Sequence, residues 1–207
     1  MNRRNYSREL DRIIDNSKGR KPKLLLHSCC GPCSTSVLEY LSSYFDITIL
    51  WYNPNLYPKD EFDKRLATLR EVVEKMGFGI DVIEMPWNHE DYLSVISDEM
   101  KNEDEGGHRC EECFRLRLEQ TARTAAEREF DYFCTTLTVS RHKDAVLINR
   151  IGEEQSEKFG AKWLPSDFKK RNGENRSQML SEQLGIYRQL YCGCEFSLYK
   201  RNSGMER

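Results

Sequence analysis

Seven of the eight cysteines in this 207-residue chain fall in three short clusters: Cys29-Cys30-x-x-Cys33, Cys110-x-x-Cys113 and Cys192-x-Cys194. Thiolates are ligands for zinc and for iron–sulfur centres, and clustered thiols in a reduced protein bind metal or cycle between redox states. A C-x-x-C pair brings two sulfurs to one side of a tight turn or first helical turn. Cys110 and Cys113 are expected at a helix start, where the dipole also favours the thiolate. Adjacent residues such as Cys29 and Cys30 point apart, so their loop must wrap its ligand. Two thiolates from each of these clusters supply the four that a [4Fe–4S] cluster takes. Four thiolates also suit a closed zinc site. Zinc more often uses two C-x-x-C knuckles, and would leave Cys33 and the Cys192/Cys194 pair without a task.

Cys192-Gly193-Cys194 is a different device. Two cysteines one glycine apart can close a very small disulfide, strained and so comparatively easy to reduce again, which suits a redox pair. Two further metal ligands, or two unrelated thiols, are the alternatives. Cys134 lies in an apolar run and is expected to fill core. His27, at a strand end, reads as a satisfied buried histidine, and His89, His108 and His142 show no ligand spacing. Asp167 is either a functional carboxylate or a helix cap.

Composition sets the context. Hydrophobic residues make up 38% and charged residues 32%, with a net charge of −2. No apolar run of about 18 residues suggests a membrane span, and the charged start does not resemble a signal peptide. The expected compartment is the reducing cytoplasm, where a structural disulfide framework is disfavoured. The charge is uneven. Residues 1–23 hold eight Lys or Arg against three acids, Lys169-Lys170-Arg171 with Arg176 forms a second basic patch, and residues 98–112 are acidic. Such asymmetry permits a polyanion to dock on one face, although charge runs are often only solvated surface.

The elements that must position these thiols follow from periodicity. Residues 23–28 read as a buried strand, and Ser34 as the cap of a helix running to about residue 44. A second strand is expected at 46–52, ended by Asn53-Pro54-Asn55. Phe62, Leu66, Leu69, Val73 and Met76 mark one face of a helix stopped by Gly77 and Gly79. Further strands are expected at 80–85, 131–139 and 161–164, with helices at 110–129 and 144–158. Alternating strands and helices predict an α/β fold with a parallel sheet covered on both faces. Functional groups then gather beyond the carboxyl ends of the strands, where the first cysteine cluster and Asn53-Pro54-Asn55 should share a crevice. A single domain is expected, with a basic arm at 1–22, a catalytic core at 23–198 and a short tail at 199–207.

The ordered motifs resemble one family. His27-Ser28-Cys29-Cys30-Gly31-Pro32-Cys33, Tyr52-Asn53-Pro54-Asn55, Arg109-Cys110-Glu111-Glu112-Cys113-Phe114 with Arg117-Leu118, Thr135-Thr136-Leu137, and Tyr187-Arg188-Gln189 with Tyr191-Cys192-Gly193-Cys194 together look like the cobalamin-independent epoxyqueuosine reductase family, QueH. The resemblance implies a three-layer α/β sandwich akin to the adenine-nucleotide alpha-hydrolase (HUP) group. It implies reduction of epoxyqueuosine at the tRNA wobble position, the last step of queuosine biosynthesis, without cobalamin and with an electron-donor protein or other reductant. Cys29, Cys30, Cys110 and Cys113 match its cluster ligands, and Cys192 with Cys194 its redox-active pair. Cys33 lies close enough in sequence to hold an additional mononuclear iron or to replace Cys29. Two departures touch no thiol: Gly31 stands where alanine is common, and Asp104-Glu105-Gly106-Gly107 replaces a proline-bearing turn. A tRNA-thiolating enzyme of related fold is the runner-up, but Ser28-Cys29-Cys30-Gly31-Pro32-Cys33-Ser34 lacks the glycine pair and aspartate of an ATP-binding loop. A zinc-stabilised RNA-binding module is the non-catalytic alternative.

Overall fold

The computed structural model describes residues 4–204. Five strands form one parallel sheet: β1 (Lys23–His27), β2 (Asp46–Trp51), β3 (Asp81–Glu84), β4 (Tyr132–Thr135) and β5 (Lys162–Trp163), in the order β3-β2-β1-β4-β5. Leu24, Leu25 and Leu26 of the central strand are wholly buried, each such burial stabilising by about 1.5–3 kcal/mol. Their side chains alternate. Leu24 and Leu26 join one apolar layer with α2 (Gly31–Leu41), α3 (Lys59–Met76) and α1 (Tyr6–Asn16). Leu25 faces the other, built from α5 (His108–Glu127) and α6 (Ala145–Phe159). The expected three-layer α/β architecture is therefore present.

The periodic helices formed where the apolar stripes lay. Phe62, Leu66 and Leu69 of α3 are buried, and Gly77 ends that helix in the left-handed region at φ 67°. Phe114, Leu118, Ala122 and Ala125 of α5 are buried in the same manner. Several boundaries differ from expectation. Ser34 is not the cap of α2: the helix begins at Gly31, and Cys30 caps it by accepting from the Cys33 N–H. The expected strand at 131–139 pairs only over Tyr132–Thr135, after which Thr136–Val139 turns into a 3-10 helix. The residues expected to form an arm include α1, whose Leu10 is buried in the core.

Three short helices carry no strong periodicity and were not expected: α4 (His89–Leu93), α7 (Gly173–Gln183) and α8 (Glu195–Asn202). No described helix is long and apolar enough to cross a membrane.

Candidate metal centre

The chain leaves β1 toward β2 on one side, and β4 pairs with β1 on the other, so the sheet changes direction between β1 and β4. A crevice opens at such a switch point, beyond the carboxyl ends of the strands. Cys29 sits there. Its N–H donates to Thr136 Oγ1 (3.1 Å), and the Thr136 hydroxyl lies 3.4 Å from Cys29 Sγ. The loop is fixed from below, because Asn53 Nδ2 donates to the Ser28 carbonyl (2.8 Å) and Ser34 Oγ to the Cys30 carbonyl (2.9 Å). The first cysteine cluster and the Asn53-Pro54-Asn55 turn thus do meet.

The sulfurs of Cys29, Cys30 and Cys33 lie within 4.8 Å of one another. Cys30 is the cap of α2 and Cys33 lies in its first turn, so the positive end of that helix faces the group. Crowding makes the thiols unequal. Donation from Cys30 and Cys33 holds Cys29 well below the usual thiol range. Cys30, as donor to Cys29, is pushed up to about 12, and Cys33 is raised for the same reason. One negative charge is accommodated and a second and third are resisted until a cation joins them. Sulfurs on one tetrahedral ion at about 2.3 Å lie about 3.8 Å apart, close to this spacing. The donor set therefore fits a metal.

Cys110 and Cys113 occupy the first two turns of α5, as expected. Cys110 Sγ accepts from the Gly106 N–H (3.3 Å). Arg109, wholly buried, fixes the preceding loop by donating to the carbonyls of Met100, Lys101 and Glu103. Cys113 is buried beside Tyr92, Ile96 and Cys194, and burial pushes its thiol up to about 11. Neither belongs to the compact group of three, which takes in Cys33 instead.

Two cations tie the clusters electrostatically. Burial opposes the charge on Arg117, whereas sulfur at Cys113, Cys192 and Cys29, when ionised, outweighs it and holds the guanidinium charged. Arg117 Nη2 has no hydrogen-bond partner among the described residues. Half-buried Lys143 is likewise held charged by Cys192, Cys29 and Cys33 against its desolvation. A buried guanidinium with an unused donor, facing thiols from three clusters, matches an anionic thiolate-bound centre.

Cys192 and Cys194 are free thiols. Cys194 stands at the N-cap position of α8 without a side-chain cap bond, so cysteines stand at the starts of three helices. The turn between them is held by Arg65 of α3, whose guanidinium donates to the carbonyls of Cys192 (3.0 Å) and Tyr191 (3.2 Å) and to Glu61 (2.7 Å). Burial raises the Cys192 thiol despite the pull of Lys143.

Other candidates resolve individually. His27 is wholly buried; its Nε2 faces the Tyr52 carbonyl, which only accepts, so Nδ1 accepts from Thr135. Cys134 is core. Asp167 stands at the N-cap position of the short 3-10 helix Phe168–Arg171, but its carboxylate makes no cap bond and lies 3.4 Å from Lys169 and 3.8 Å from Lys170. Within the second basic patch, Arg171 pairs with Asp11 of α1 and Arg176 with Glu39.

Arg65 and Lys143 carry no signal in the motifs, and Arg109, Arg117, Thr136 and Gln189 enter them without a role of their own. One signal was present. Arg65 lies one turn from both Phe62 and Leu69, and Arg117 one turn from Phe114, beside the apolar stripes of their helices, and a charge so placed is either paired or functional.

Comparison with known proteins agrees with the geometry. A family model described as epoxyqueuosine reductase QueH matches residues 24–200. The epoxyqueuosine reductase QueH of Staphylococcus epidermidis is 41% identical over 95% of this chain and 86% of its own length. That of Thermotoga maritima is 37% identical over 86% and 91%, and that of Haemophilus influenzae 36% over 89% and 75%. With Cys29, Cys30 and Cys33 gathered at the switch point and this similarity along nearly its whole length, the chain belongs to the epoxyqueuosine reductase QueH family.

Proposed function

We propose that the protein reduces epoxyqueuosine in tRNA to queuosine, completing the synthesis of that nucleoside. The observation that carries this, beyond family membership, is the crowding of Cys29, Cys30 and Cys33 at the switch point with Arg117 and Lys143 beside them. Removing the epoxide oxygen to leave an alkene consumes two electrons and two protons and releases water.

In this reading Cys29, Cys30, Cys110 and Cys113 hold a [4Fe–4S] cluster, and Cys33 holds a further single iron or substitutes for Cys29. Once bound, such a centre supplies electrons singly, and an iron with an open position polarises the C–O bond. The chain's own part is electrostatic and positional. Arg117, Lys143 and the N-termini of α2 and α5 offset thiolate charge. Cys192 and Cys194 carry two electrons and two protons as thiols, the amounts that the reaction consumes. Closing them to a disulfide breaks two S–H bonds and forms one S–S bond, and an external reductant or donor protein restores them. The anticodon loop presents unstacked bases, so the modified base reaches the crevice without duplex opening.

The assay is anaerobic incubation of epoxyqueuosine-bearing tRNA with reductant, without cobalamin or ATP, followed by nucleoside mass analysis. Loss of one oxygen is expected with the intact protein and not with Cys30→Ser. An untouched epoxide with metal-loaded protein overturns the proposal, and ATP-dependent gain of sulfur replaces it with thiolation. The single-ion spacing of the three sulfurs also favours a second reading, a zinc-bound RNA-binding module. Stoichiometric zinc without acid-labile sulfide selects it.

A further inference from the structure

Gln189 lies between α7 and α8, in the stretch that ends at the Cys192-Gly193-Cys194 turn. That stretch is pinned at both ends to α3 and the residues before it. The Tyr187 hydroxyl donates to Glu61 (3.0 Å), Arg65 donates to the Tyr191 and Cys192 carbonyls, and the Tyr57 N–H donates to the Gly193 carbonyl (2.9 Å). Between these anchors, Gln189 Nε2 lies 3.0 Å from Cys30 Sγ, while its Oε1 is buried with no hydrogen-bond partner among the described residues. Chemistry decides the amide's orientation. A metal-bound thiolate has no proton and only accepts, so the NH2 group must face it. Either orientation leaves one amide atom unpaired, and only this one places a donor on sulfur.

We propose that Gln189 is a positioning residue that sets the reduction potential of the centre held by Cys30 and links it to the loop carrying Cys192 and Cys194. The inference rests on the reading of Cys30 as a cluster ligand. An N–H donor draws electron density from the thiolate and favours the more negative, reduced state of the centre, which raises its potential. The anchors on α3 keep that donor in place, so the hydrogen bond is preorganised.

The test compares wild type, Gln189→Leu, Gln189→Glu and the exposed neighbour variant Arg188→Ala after anaerobic reconstitution. Iron, acid-labile sulfide and midpoint potential are measured by spectroelectrochemical titration. Gln189→Leu is expected to keep its iron and sulfide and to become about tenfold harder to reduce, about 59 mV lower for a one-electron couple. Gln189→Glu keeps the side-chain shape without an N–H and should also fall, whereas Arg188→Ala should match wild type. Equal potentials in wild type and both Gln189 variants overturn the inference and leave the cluster assignment standing. Loss of iron from both Gln189 variants also overturns it, making Gln189 an assembly residue. A wild-type protein without a reducible cluster overturns the cluster assignment and the inference with it.

Discussion

Cys30 and Cys113 are nearly sealed from solvent and both resist ionisation, the first because Cys29 takes the charge in their shared group, the second because burial penalises a thiolate. Neither is arranged as a solvent-exposed nucleophile, and a metal offers each the countercharge that its surroundings withhold. Cys110→Ser or Cys113→Ser should therefore lose most of the iron and sulfide of anaerobically prepared protein, read by colorimetric iron and sulfide assays. Unchanged iron in both variants would remove α5 from the centre. Cys194 lies against Cys113 yet stands at the start of a different helix. Cys194→Ser should keep its iron and lose turnover. Iron loss there would make Cys194 a ligand instead of half of a redox pair.

At the scale of elements, close approach explains the two glycines that flank the chemistry. Gly193 has φ 125°, and a Cβ there would come 2.4 Å from Leu56 Cδ2 and 2.7 Å from Arg65 Nη1. Gly193→Ala should destabilise by about 2–4 kcal/mol through backbone strain and overpacking, measured by urea unfolding. A change within error would show that the turn moves freely on α3. Gly31 occupies the first turn of α2, where a Cβ would meet Thr68 Cγ2 of α3 at 2.9 Å. A side chain at position 31 would therefore press on α3. Gly31→Ala should cost about 1–3 kcal/mol, and Thr68→Ser should recover part of that in a double-mutant cycle. Strict additivity would show that the two helices do not press on each other at this point.

Across the whole molecule, the fold redistributes the charge seen along the sequence. Arg171 and Arg176 are neutralised by Asp11 and Glu39, carboxylates distant in the chain. Lys169 and Lys170 share Asp167 and, with Arg141, line a surface cleft of about 310 Å³. Lys169 Nζ also donates to the Lys143 carbonyl (3.1 Å), which joins this cleft to the thiol centre. Lys169→Ala/Lys170→Ala should weaken tRNA binding and reduce the slope of log K against log salt by about 1 for each phosphate that is no longer neutralised. Arg176→Ala should leave that slope unchanged. Filter binding or fluorescence anisotropy across a salt series reads both, and equal slopes for wild type and the double variant would move the tRNA surface elsewhere.

The sequence by itself determined the parts that depend on neighbours in the chain. Apolar spacing placed α3 and α5, the run at Leu24–Leu26 marked the central strand, and cysteine clustering identified the thiols, because these features repeat within one or two turns. Boundaries set by local competition were harder: Cys30, not Ser34, caps α2, since a thiol that accepts from the Cys33 N–H is an uncommon cap. Only the tertiary structure decided that β4 pairs beside β1, which sets Cys29 against Thr136, a residue far along the chain. It also carried Arg65 to the Cys192 turn and matched Arg171 with Asp11. Most of these join residues far apart in sequence. Side-chain periodicity records which face of an element is buried, and it holds no information about which distant charge or thiol will meet that face.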